Sequence, residues 1–125
     1  MLVSCSRCGR VHERGACPVK RTQGRAERTE QRRFRSSQAW TAMSLRVRER
    51  DRWLCAACAR AEPSRYVSAR LSVHHIDPVA ERWEGRLDPA NLITLCPACH
   101  EAAEAGAIPR GRLRQWAADA ERRDG

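Results

Sequence analysis

Residues 91–100 read NLITLCPACH, a short apolar run that ends in Cys96, Cys99 and His100. Leu92 to Leu95 suit a short strand, and Pro97 belongs near the first turn of a helix that Gly106 is placed to cap. Cys96 and Cys99 then sit three apart at a helix start, with their sulfurs pointing the same way. Consecutive side chains on a helix diverge by about 100°, so Cys99 and His100 do not face one ion. His100 looks away from whatever the cysteines hold.

Working outward, Cys55 and Cys58 repeat the Cys-x-x-Cys spacing upstream. Four thiolates so arranged suit tetrahedral zinc, with every ligand position filled and no room for substrate. A simple zinc ribbon separates its pairs by roughly 15–20 residues, whereas 37 lie between Cys58 and Cys96. The extra length contains VHHIDPV, residues 73–79, and His74, His75 and His100 are the only histidines outside the N-terminal region. A histidine at a strand end and one on a helix, with few other ligands, make an incomplete coordination shell. Open positions are what catalytic metals keep.

Composition agrees that this fold needs a staple. Leu, Ile, Val and Phe supply 19 of 125 residues and the formal charge is +9. A core that sparse rarely holds on its own. The N-terminus shows no apolar run of the secretory kind and no stretch is long enough to span a membrane, so the expected compartment is a reducing cytoplasm. There, paired cysteines are metal ligands more often than bridges. Charge is uneven: residues 1–54 hold 14 Lys or Arg against 5 acids, while residues 55–125 hold 10 of each. The polar run 20–35 has no apolar periodicity and reads as a linker or basic arm. Arg21, Arg25, Arg28, Arg32, Arg33 and Arg35 within it are the candidate phosphate contacts, which makes DNA the expected partner.

From Ser37 the pattern turns helical, with Trp40, Met43 and Val47 on one face and an expected end near Trp53. Residues 66–75, YVSARLSVHH, alternate as a half-buried strand does, with Val67, Ala69, Leu71 and Val73 on one side. After Pro109, a last helix carries Leu113, Trp116 and Ala120 on one face, most simply as core packing.

Taken together, HHI, Asn91 sixteen residues after His75, His100 nine further on, and the bracketing CAAC and CPACH resemble an HNH endonuclease of the four-cysteine zinc type found in phage and bacteria. The lead-in FRSSQAWTAMSLRVRERDRWLCAAC is similar to that of the phage versions, and the resemblance covers about residues 34–106. It implies a small zinc-stapled α+β fold with a ββα-metal core and flanking helices, and hydrolysis of DNA phosphodiesters leaving a 5′ phosphate and a 3′ hydroxyl. By position, His75 matches the family's general base, His74 and His100 its metal ligands, and Asn91 its middle asparagine. The catalytic cofactor implied is a divalent ion, Mg²⁺, Mn²⁺, Ni²⁺ or Zn²⁺. His74 stands where Asp is common, which favours softer ions than Mg²⁺. Glu104 lies one turn after His100, where colicin-type members carry another histidine ligand; a solvated surface residue is its plainer reading.

Near the N-terminus, Cys5, Cys8, His12 and Cys17 are similar to a CCHC zinc knuckle one residue short, a candidate second zinc site. The expected organisation is a knuckle-like module over 1–18, the arginine-rich linker over 19–36, the nuclease core over 37–109 and a C-terminal helix and tail over 110–125. The rival function is a non-catalytic zinc-stabilised DNA-binding or adaptor module. Phage packaging, restriction and homing all use such domains, and a phage terminase or packaging protein is a further expected partner.

Overall fold

The computed structural model describes residues 2–4, 11–13 and 25–124. Strands β1 (Leu2–Ser4) and β2 (Val11–Glu13) pair antiparallel, Val3 opposite His12. Of the expected N-terminal zinc ligands, Cys5, Cys8 and Cys17 lie outside the described residues, as does Arg21; His12 and Arg25 are described as backbone alone.

Helix α1 (Arg25–Arg35) stands where the sequence led to an expectation of a linker or arm. Its Ala, Arg, Glu and Gln are good helix formers, although nothing in them marks a buried face. One apolar side chain seats it. Phe34 is buried, with ring centroids 5.3 Å from Trp40, 5.7 Å from Trp83 and 6.0 Å from His75. A periodicity rule cannot register a helix with a single buried apolar side chain among its described residues.

Helix α2 (Gln38–Arg50) begins at Ser37, whose Oγ accepts from the Trp40 amide at 3.1 Å. It ends three residues before Trp53, because Arg52 and Trp53 take left-handed φ values of 61° and 57°. That turn delivers the chain to Cys55 and the single-turn helix α3 (Ala56–Ala59).

The long strand expected over 66–75 shrinks to β3 (Ser72–His75). Its antiparallel partner β4 (Leu92–Leu95) offers only four residues, paired from Ser72↔Leu95 to His75↔Leu92. Arg70, at φ 57°, breaks the extended run before it. The alternation still has a use: Val67 and Leu71 pack against the core around the four cysteines, and the Val67 carbonyl accepts from the Cys55 amide at 2.8 Å. Ala69, by contrast, is exposed.

Helix α4 (Pro97–Glu104) closes as the sequence suggests. Gly106 adopts φ 81°, and the amides of Gly106 and Ala107 return to the carbonyls of Ala103 and Ala102. This is a Schellman ending. Helix α5 (Arg110–Asp124) buries Leu113, Ala117 and Ala120, while Trp116 is half-buried under the Arg60 guanidinium.

The two-stranded sheet β3–β4 separates two small cores. Val73 and Leu92 face Val47 of α2, with Trp40 and Met43 alongside. Ile93 and Leu95 face Ala103 of α4, Leu113 and Ala117 of α5, and the four cysteines. Among the described residues no helix is long and apolar enough to cross a membrane.

Candidate active site

Cys55 and Cys96 are the N-cap residues of α3 and α4, and Cys58 and Cys99 follow in each first turn. The four sulfurs therefore gather at two helix N-termini, whose free amides favour negative charge. The Cys58 amide lies 3.5 Å from Cys55 Sγ, and Cys58 Sγ lies 3.9 Å from Cys96 Sγ and 3.7 Å from Cys99 Sγ. A tetrahedron with zinc–sulfur bonds of about 2.3 Å has edges of about 3.8 Å. The cluster fits zinc by that measure, with all four sulfurs within 4.8 Å of one another. Burial, reinforced by Cys55, pushes the Cys58 thiol up; burial, reinforced by Cys96, does the same to Cys99. Thiolates this close need a cation between them.

The paired histidines part company because a strand alternates. His74 shares the Ser72 side of β3 and meets α4: its ring lies 4.7 Å from that of His100, edge to face. One turn along α4, Glu104 Oε1 lies 3.1 Å from His100 Nε2. His74, His100 and Glu104 each turn a ligand atom into a space where all lie within 4.8 Å of one another. Glu104, a candidate ligand whose plainer reading is a solvated surface residue, stays exposed and lies within reach of the two histidines. Burial, and then the neighbouring His100, pull the His74 pKa down to about 4, leaving the ring in the neutral form that ligates metals. The two nitrogens and one carboxylate oxygen suit a divalent ion and leave about half of an octahedral shell open.

His75 faces the other way. Its ring stacks on Trp40 at 4.7 Å and 25°, and its Nε2 lies 3.0 Å from the Arg86 carbonyl. A carbonyl only accepts, so Nε2 carries the proton and Nδ1 is the bare nitrogen of the neutral ring. Burial, with Arg35 acting in the same direction and the Arg86 carbonyl opposing, holds the His75 pKa below its ordinary value.

Asn91 is buried at the end of a 3-10 turn, Pro89–Asn91, directly before β4. Its Oδ1 accepts from the Asp77 amide at 2.8 Å, and its Nδ2 donates to the carbonyls of Asp77 and Gly85, both at 3.1 Å. One side chain thereby ties Asp77 to Gly85, the residue directly before Arg86.

His74, His75, His100 and Glu104 all line one cavity of about 700 Å³, with Arg35 and Arg110 among its walls. Of the other arginines expected to meet phosphate, Arg28, Arg32 and Arg33 are exposed on α1. Trp40 was legible only as a core position of a helix. Phe34 and the Arg86 carbonyl left no signal, since one stands alone and the other is backbone.

The HNH endonuclease family model matches residues 55–106. No curated protein matches the sequence. Among solved structures, the HNH endonuclease of the deep-sea thermophilic bacteriophage GVE2, determined with manganese ion, is 34% identical, with a TM-score of 0.57 over 68% of this chain and 89% of that one. Since the match to that relative spans nearly all of its length, and the family model falls on the segment that holds both clusters, the chain belongs to the HNH endonuclease family.

Proposed function

We propose that this chain is a metal-dependent DNA endonuclease with His75 as general base. The observation that carries the reading is the division of labour across β3: a neutral, oriented His75 and a three-ligand cluster open onto the same cavity. The neutral ring takes a proton from water at Nδ1, while the Nε2–H bond to the Arg86 carbonyl holds it in place. As the ring becomes cationic, that carbonyl and the stacked Trp40 indole both favour the charge. Asn91 keeps the carbonyl where the base needs it. His74, His100 and Glu104 would hold a divalent ion, which would supply Lewis acidity to the scissile phosphodiester. Cleavage in this sense leaves a 5′ phosphate and a 3′ hydroxyl. Manganese, named with the phage relative, suits these nitrogen and oxygen donors, and zinc suits the four cysteines.

Arg35 at the cavity and the exposed arginines of α1 are the DNA contacts in this reading. The phage relative supports a phage setting in a bacterial cytoplasm. A packaging terminase is the partner proposed for that setting, and a terminase gene beside this one is the observation that tests it.

The test is nicking of supercoiled plasmid in Mn²⁺. General-base catalysis typically supplies about 10²–10⁴-fold, so His75→Ala should lose activity on that scale while keeping its fold and its four-cysteine zinc. Near wild-type nicking by that variant would overturn the mechanism.

A further inference from the structure

Ser72 stands two residues before His74 on β3, so both side chains project toward α4. Its Oγ lies 2.7 Å from His100 Nδ1, while Nε2 of the same ring faces Glu104 at 3.1 Å. We propose that Ser72 is a positioning residue that presents His100 Nε2 to the divalent ion. The inference rests on the reading of His74, His100 and Glu104 as a cation site.

His100 needs a partner outside its own helix. It sits on an eight-residue helix with 28% of its side chain exposed, and Glu104 is on the same helix. Without Ser72, no hydrogen bond ties the ring to the sheet that carries His74. The bond also selects the tautomer. With Nε2 turned to a cation, Nδ1 must hold the ring proton, and the Ser72 oxygen is there to accept it. A hydroxyl suits this position for a further reason: it both donates and accepts, so it serves the ring when Nε2–H points to Glu104 and when Nε2 is bare. A partner of this kind behind a metal-binding histidine typically changes affinity by about 10–100-fold.

The experiment measures Mn²⁺ binding to the zinc-loaded full chain, by calorimetry and by the paramagnetic resonance of free Mn²⁺. Wild type, Ser72→Ala, Ser72→Thr and His100→Ala are compared, with zinc content and melting temperature recorded for each. Ser72→Ala should weaken Mn²⁺ by about 10–100-fold at unchanged zinc content, and Ser72→Thr, which keeps the hydroxyl and suits a strand, should restore most of it. Ser72→Ala binding Mn²⁺ as tightly as wild type would overturn the role of Ser72 alone. Parallel loss of zinc in Ser72→Ala would overturn it too, by showing that the residue acts through the fold. Wild type failing to bind Mn²⁺, or His100→Ala binding it unchanged, would overturn the cation site and this inference with it.

Discussion

Arg50 is a charged residue with 1% of its side chain exposed, and every direction of its guanidinium is met. Nε and Nη2 bond the two oxygens of Asp51 at 3.0 and 3.1 Å, Nη1 reaches Glu121 at 3.1 Å, and the same two terminal nitrogens donate to the carbonyls of Pro89 and Leu92 at 2.8 and 2.7 Å. Those carbonyls flank Asn91, so Arg50, paired with Asp51 at the end of α2 and with the half-buried Glu121 of α5, holds the turn that positions the asparagine. Asp51 adds a bond from the Thr94 amide at 3.0 Å. Removing one partner of such a network leaves the others desolvated and uncompensated, which typically costs about 3–5 kcal/mol. Arg50→Met, with a side chain of similar length, should lose stability on that scale in urea unfolding of the zinc-loaded protein. A loss under about 1 kcal/mol would mean that Asp51 and Glu121 find other partners. RERDRWLC reads as an ordinary charged helix end, and only the fold shows that one of its arginines points inward.

At the scale of the element, α1 is the case where sequence reasoning and structure divide. Its arginines suggest a phosphate grip from the sequence, whereas its helical form leaves no periodic signal there. Phe34 seats the last turn against Trp40, Trp83 and His75, and Arg86 lies over the Trp83 ring at 4.4 Å. The basic helix is therefore fastened beside His75 at one end. Arg32 and Arg33 are exposed in its last turn and are DNA contacts under the proposed function. Each phosphate contact contributes about 0.9 to the slope of log affinity against log salt. Arg32→Gln with Arg33→Gln should flatten that slope by about two units in a salt titration of duplex binding, with single-turnover nicking at saturating protein and low salt retained. Parallel slopes for variant and wild type would remove these arginines from the DNA interface.

Over the whole molecule, the four-cysteine cluster joins the α3 turn to α4 across 37 intervening residues, and it sits inside the larger core rather than beside it. Zinc bound there acts as folding free energy, so Cys58→Ser should unfold or precipitate the protein. His100→Ala, on the open cluster, should stay folded, keep wild-type zinc and lose Mn²⁺ affinity; metal analysis with circular dichroism separates the two. Equal loss of zinc in both variants would show that the two clusters are not independent. Much of this plan follows from the sequence by itself, because ligand spacing and helix geometry are local. Two Cys-x-x-Cys pairs, the downstream one at a helix start, the divergence of His100 from Cys99, and the strand that delivers His74 and His75 need only bond geometry and periodicity. Three further features depend on contacts between segments distant in sequence. The β3 strand is short because β4 has four residues to pair with it. His75 keeps Nδ1 bare because the Arg86 carbonyl, eleven residues on, occupies Nε2. His74, His75, His100 and Glu104 share a cavity because α1, α2, α4 and α5 close around a two-stranded sheet, and no local pattern records which side chain will lie across a fold from another.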